Sequence, residues 1–147
     1  MNTNRIAPHT EATVLQLLES AALLERRLDR SLSGARGISF SEYRLLSALA
    51  DAGPGGCARI DLAGRVGLTA SAVTRALRPL EKLGVVATER NERDARQSLA
   101  VITAAGTALL ADARGVLRDA LGSLALNDLP ARKVAEFQDR LAELRSR

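Results

Sequence analysis

The chain has 147 residues, 21 of them Lys or Arg against 17 Asp or Glu, giving a formal net charge of +4. Apolar residues make up 46%, enough for one compact domain or one subunit of an assembly, but aromatics are only 2%, so the core must be Leu, Val and Ala. That composition favours helices packed side by side over an aromatic-rich sandwich or barrel, and no run of about 18 apolar residues is present to cross a membrane.

Residues 1–10 read as a flexible N-terminus, polar and unlike the apolar core of a signal peptide, with His9 as a surface residue. Segment 11–36 reads as a first helix and its linker. Val14, Leu17, Leu18, Ala21, Leu24, Leu28 and Leu32 form a helical stripe, and Leu15 and Leu23 lie off it. A helix of about 20 residues is roughly 30 Å long, longer than a small domain covers by itself, so part of that face calls for a second chain. Ser33–Gly37 is the linker. Ser39 and Glu42 then have capping-box spacing, with Ile38 and Tyr43 as the hydrophobic staple. The helix that follows carries Phe40, Tyr43, Leu46, Leu49 and Ala50 and stops at the Gly/Pro cluster from Asp51 to Gly56.

Ile60, Leu62, Ala63 and Val66 share one face of a short helix. Gly67 supplies a turn, Leu68 a plug, and Thr69 a cap for a second helix running to about Leu83. Val73, Leu77, Leu80 and Leu83 face inward there. The opposite face shows Ala70, Ser71, Thr74, Arg75, Arg78 and Lys82. Pro79 removes one hydrogen bond and should bend this helix or shift its last turn. After Gly84 come two β-type runs, Val85–Arg90 and Gln97–Ile102, around a polar tip from Asn91 to Arg96. Segment 37–103 is thus a winged helix-turn-helix. A C-terminal region, 104–147, follows: one helix capped by Thr103 with a stripe from Leu109 to Leu124, a break at Asn127-Asp128, and a last helix bearing Val134, Phe137, Leu141 and Leu144. The fold class is mainly α with a small β-hairpin wing.

A small, hydroxylic and basic helix face suits the DNA major groove, where small residues allow close approach and Arg forms paired bonds to guanine. A basic hairpin beside it suits the minor groove, whose negative potential attracts Arg. The plainer alternative is a solvated amphipathic helix beside a surface hairpin.

Leu62-Ala63, Val66-Gly67-Leu68-Thr69, Val73-Thr74-Arg75, Leu80 to Val86, Asp94-x-Arg96 and Ile102-Thr103-x-x-Gly106 together resemble the MarR family of bacterial transcriptional regulators. The resemblance implies a two-fold homodimer with intertwined terminal helices that binds double-stranded DNA at a pseudo-palindromic site, most often as a repressor; the single cysteine, which permits no intrachain disulfide, fits a reducing cytoplasm. The resemblance makes Arg96 a minor-groove contact steadied by Asp94; Arg93 and Arg90 beside them read either as phosphate contacts or as solvated charges. Arg75 becomes the best base reader, Thr69, Ala70, Ser71 and Thr74 close groove contacts, and Arg78 a phosphate contact. Because the family often binds aromatic or anionic effectors between dimer helices and winged domain, Phe40, Tyr43 and Arg44 become candidates for a ligand cleft.

Signals for other chemistry are poor. Cys57 and His9, the one Cys and the one His, lie far apart in sequence and make no nucleophile–base pair. They leave no soft-ligand cluster for a metal, and no phosphate loop of the G-x-x-x-x-G-K type occurs. No catalytic residue, metal or cofactor is expected. Family members that sense oxidants carry their thiol near the start of the first helix, so Cys57 is expected to pack as a small hydrophobe. Two rival readings are a winged-helix module that binds protein, which the Arg75/Arg78/Lys82 face disfavours, and a small enzyme.

Overall fold

The structure is a computed structural model that describes residues 6–94 and 97–145. Helix α1 spans Pro8–Arg36, 29 residues, with Pro at its first turn and Gly37 closing it at φ 69°. It begins earlier than the sequence suggests, so Pro8, His9 and Thr10 are helical, and it continues through the stretch read as a linker. Gly34 does not end the helix. Gly37 does, because it takes the left-handed conformation and donates its N–H to the Ser33 carbonyl at 3.1 Å.

Helix α2, Phe40–Ala52, starts in the expected capping box: the Ser39 hydroxyl accepts from Glu42 N–H at 3.0 Å, and Glu42 accepts from Ser39 N–H at 2.7 Å. A third orphan donor, Phe40 N–H, goes to the Asp29 carboxylate of α1 at 2.9 Å. The entry of α2 is therefore pinned to α1 by one charge-assisted bond.

Strand β1 (Cys57–Ala58) leads into α3 (Arg59–Val66) and α4 (Ala70–Lys82). Strands β2 (Val86–Arg90) and β3 (Ser98–Ile102) form the hairpin. Helix α5 (Ala104–Leu121), a 3₁₀ turn (Ala125–Asp128) and α6 (Ala131–Arg145) complete the described chain. The sheet is antiparallel in the order β1-β3-β2, with Cys57 opposite Ala100, and Val86 through Arg90 opposite Ile102 through Ser98. The sequence reading has no β1. A two-residue strand carries no periodicity to detect.

Leu45, Leu46 and Leu49 of α2 are wholly buried and sit among α1, α3, α4, α5 and β3. Around them close Leu62, Val73, Leu77, Leu80 and Leu110, and no polar or charged residue is buried among the described residues. Two positions expected inside are outside: Ile60 is 66% exposed and Leu83 is 63% exposed. Each lies at a helix end beyond the reach of the facing element, so apolar spacing alone misplaced it.

The joint between the winged unit and α5 is built on close backbone approach. Thr103 donates its hydroxyl to the Gly84 carbonyl at 2.7 Å and its N–H to the Val85 carbonyl at 3.1 Å, and its hydroxyl accepts from Gly106 N–H at 3.1 Å. A Cβ at Gly106 would overlap the Val85 carbonyl oxygen, and backbone cannot swing aside as a side chain can. Gly106→Ala should therefore lower the unfolding free energy by about 1–3 kcal/mol, the scale of core overpacking. The denaturant midpoint measures this, and an unchanged midpoint would contradict the packing described.

Candidate nucleic-acid interface

The turn between α3 and α4 is set by Gly67, at φ 69°, whose neighbour Leu68 donates back to the Ala63 carbonyl at 3.0 Å. Leu68 is half-buried against the core, as a plug should be. Thr69 then caps α4, its hydroxyl accepting from Ala72 N–H at 3.1 Å. The cap leaves the first turn of α4 straight and open at its N-terminus, the end that enters a groove.

Helix α4 divides cleanly. Val73, Leu77 and Leu80 are wholly buried, whereas Ser71, Arg75, Arg78 and Lys82 are exposed and Ala70 and Thr74 are half-buried beside them. The six residues expected on the outer face are thus together on one side, and Thr69 stands exposed at its head. Pro79 lies on the exposed side and the helix carries on to Lys82. Its last turn closes in a Schellman arrangement, with Val85 N–H on the Leu80 carbonyl (3.1 Å) and Gly84 N–H on the Glu81 carbonyl (3.0 Å). The expected shift of the last turn does not occur, because these bonds and the Leu80 anchor hold the carbonyls past the proline. Gly84, at φ 72°, turns the chain straight into β2.

At the hairpin tip Asn91 N–H donates to the Gln97 carbonyl at 3.0 Å and Gln97 N–H donates to the Asp94 carbonyl at 2.9 Å. The Asn91 side chain accepts from Arg93 N–H at 3.0 Å, an Asx-type turn where the chain leaves β2. Arg90, Arg93 and Asp94 are exposed there. Arg96 lies outside the described residues, and with it the pairing expected between Asp94 and Arg96.

A group missed by the sequence reading joins these parts. Arg59, at the head of α3, forms an ion pair with Glu81 of α4 at 3.1 Å and donates to Thr88 of β2 at 3.2 Å. The two charges are 22 residues apart, so no helical or strand spacing could have paired them.

The three residues proposed for a ligand cleft do not share one cavity. Phe40 and Tyr43 stack with ring centroids 6.1 Å apart. Phe40 lines a recess of about 330 Å³ between α1 and α2 with Glu25, Arg26, Asp29 and Arg30. Tyr43 and Arg44 line another, of about 260 Å³, with Asp51 and Arg65. Arg44 also donates to the Val66 carbonyl at 2.8 Å, satisfying the C-terminal end of α3. Among the described residues no cluster of His, Cys, Asp or Glu could hold a metal, and no helix is long and apolar enough to cross a membrane.

These parts define a winged helix-turn-helix protein. Residues 36–97 match the sequence model of the MarR family. In fold the chain is similar to a MarR family transcriptional regulator from Streptomyces coelicolor solved in complex with DNA, with 25% identity, TM-score 0.85, and coverage of 95% of this chain and 91% of that one. It is also similar to CouR from Rhodococcus jostii bound to p-coumaroyl-CoA, with 23% identity, TM-score 0.79 and 95% of each chain covered. MepR from S. aureus, solved with DNA, is similar at 18% identity and TM-score 0.77 over 93% of this chain and 97% of that one. No curated protein sequence matches the chain. The match covers the helix-turn-helix and most of the hairpin, and the similarity in fold extends over the flanking helices.

Cys57 is 5% exposed within β1, and burial pushes its thiol above the ordinary value of 9.0, with Asp61 adding to the effect and Arg65 opposing it. A buried, un-ionised thiol is a poor nucleophile. Cys57 should react with a maleimide far more slowly in the folded protein than after denaturation. Because the unfolded thiol ionises first, stability should also decline as pH rises past that value. Equal maleimide rates in the two states would contradict the assignment of Cys57 to the core.

Proposed function

We propose that this chain is a DNA-binding transcriptional regulator, a repressor, that acts in the cytoplasm as a homodimer on a pseudo-palindromic site. Segment 37–103 forms the reading unit, and segments 11–36 and 104–147 supply the dimer contact. The observation that carries the reading is the α4 face: Ser71, Arg75 and Arg78 stand exposed on a helix whose other side is fully buried and whose N-terminus is capped by Thr69. Such a helix is rigid, offers small residues at its leading end, and places guanidinium groups where base edges and phosphates lie. The similarity to a DNA-bound regulator at 25% identity supports it. Arg75 is assigned to a base, Arg78 to phosphate, and the hairpin with Arg93, Asp94 and Arg96 to the adjoining minor groove.

The dimer is supported by apolar surface that one protomer leaves uncovered. Leu15, Leu18 and Leu23 of α1 are each more than half exposed, as is Leu144 of α6. Helix α6 has no buried residue at all and packs only marginally on the rest of its own chain. An amphipathic helix in that condition has too little burial to hold itself folded. A second copy related by a two-fold would cover both helices at once.

A second reading adds an effector to the first. The Phe40–Tyr43 stack stands between two recesses of mixed charge, one with Arg26 and Arg30 beside Glu25 and Asp29, the other with Arg44 and Arg65 beside Asp51, a setting for a small aromatic molecule that carries polar groups. Through Asp29 and Phe40 N–H such a molecule would bear on the α1–α2 junction.

Arg75→Ala should cost about 1–3 kcal/mol per half-site and relax preference at one symmetric pair of base positions. Arg78→Ala should weaken all sequences alike and flatten the dependence of log K on log salt by about 0.9 per contact, nearly 2 for a dimer. Titrations at several salt concentrations read both effects, and unchanged affinity and preference in both variants would contradict the assignment. Ending the chain after Asp128 should abolish the soluble dimer. A folded, stable monomer at micromolar concentration in sedimentation would contradict it.

A further inference from the structure

The hairpin leaves the core about halfway along. Its face toward the helices begins apolar, with Val86 and Ala100 both buried, and continues through Thr88 to Arg90 and Ser98, which stand on the same face by their register. Beyond Val86 no large apolar side chain on that face reaches the helices; the β1 ladder holds β3 as far as Leu99, and the β2 side of the outer hairpin is left to side-chain contacts.

At that point stands Arg59. One terminal nitrogen donates to Glu81 Oε1 at 3.1 Å and to Thr88 Oγ1 at 3.2 Å, while the Thr88 hydroxyl donates to the same Glu81 oxygen at 2.5 Å. The triangle is closed and each proton has one direction. The other terminal nitrogen reaches Ser98 Oγ of β3 at 3.5 Å, a weak contact at most. Arg59 and Glu81 keep only 28% and 30% of their side chains exposed, and Arg59 Nε is buried with no partner. Leaving a donor unpaired is unfavourable, so the guanidinium is held there by its terminal bonds and not by its own solvation. One side chain from the head of α3 thus ties the last turn of α4 to the hairpin. It also neutralises a carboxylate on the helix that would otherwise oppose DNA phosphate.

We propose that Arg59, with Glu81 and Thr88, is a positioning group that sets the angle of the hairpin to the recognition helix, and so decides how strongly binding depends on the minor groove flanking each half-site. This rests on the DNA-reading assignment above. None of the three is assigned a base or phosphate contact; they act through the hairpin they hold.

The test uses the full chain with Thr88→Val, which removes the hydroxyl at nearly constant shape, Thr88→Ser, which keeps it, and Arg59→Ala. Without DNA, hydrogen exchange at the hairpin amides Glu89 to Asn91 should quicken by roughly tenfold or more in Arg59→Ala and Thr88→Val, the scale of a lost bond to a charged group. Thr88→Ser should stay near the parent. With DNA, the parent's affinity ratio between A·T-flanked and G·C-flanked duplexes should collapse in the first two variants, while preference at base positions inside the half-site persists. Unchanged exchange, an unchanged flank ratio, or a parent with no flank ratio would overturn the proposal. A parent that binds no duplex would instead overturn the DNA reading, and the exchange result would still decide whether the group holds the hairpin.

Discussion

Everything in this molecule leans on the apolar side of α2. Leu45, Leu46 and Leu49 are wholly buried, and through them one 13-residue helix touches α1, α3, α4, α5 and β3. With almost no aromatic residues, the chain has few large side chains to span a gap. The elements must come close, and small volume errors are felt directly. That accounts for glycine where α5 crosses Val85, and for the absence of buried charge among the described residues. The recognition helix inherits its rigidity from this arrangement: Val73, Leu77 and Leu80 are locked into the core, which leaves Arg75 and Arg78 on a surface that cannot turn away.

Polar groups do a different task. They appear where two elements must be held at an angle that packing alone does not define. Asp29 ties α1 to α2, Thr103 ties α5 to the end of α4, Arg44 closes α3, and Arg59 ties α3 and α4 to the hairpin. Each joint uses a charge or a hydroxyl on a backbone or carboxylate partner. Such bonds are directional, so they fix orientation as well as contact. A molecule settling near Phe40 would press on the first of these joints, and a rotation of α5 on the second. The winged unit is thus joined to α1 and α5 by directional bonds as well as by packing.

Much of this was legible in the sequence because helical periodicity and capping chemistry are local. The Ser39–Glu42 box, the Gly67 turn, the Thr69 cap and the inward row of α4 follow from residues three or four apart. So does the outer face with Ser71, Arg75 and Arg78. Failures came where the deciding partner is distant. Ile60 and Leu83 have the right spacing but nothing facing them. Residues Ser33–Arg36 have the composition of a linker, yet stay helical because the left-handed stop falls at Gly37. The strand at Cys57 exists only because β3 offers it a ladder. No local spacing links Arg59 to Glu81, and only the fold brings them to 3.1 Å. The ligand candidates show the same limit: Phe40 and Tyr43 are neighbours as their spacing suggests, but they open onto two recesses and not one.

The central claim is that two copies of α4 read two major-groove segments on one side of a duplex. The most direct measurement is selection of binding sites from a pool of randomised duplex DNA, with sequencing of what the protein retains. A two-fold pair of reading helices should enrich an inverted repeat whose half-sites are centred one helical turn apart, about 10–10.5 base pairs or 34–36 Å. Recovery of no enriched sequence, or of a single unpaired motif, would contradict the claim.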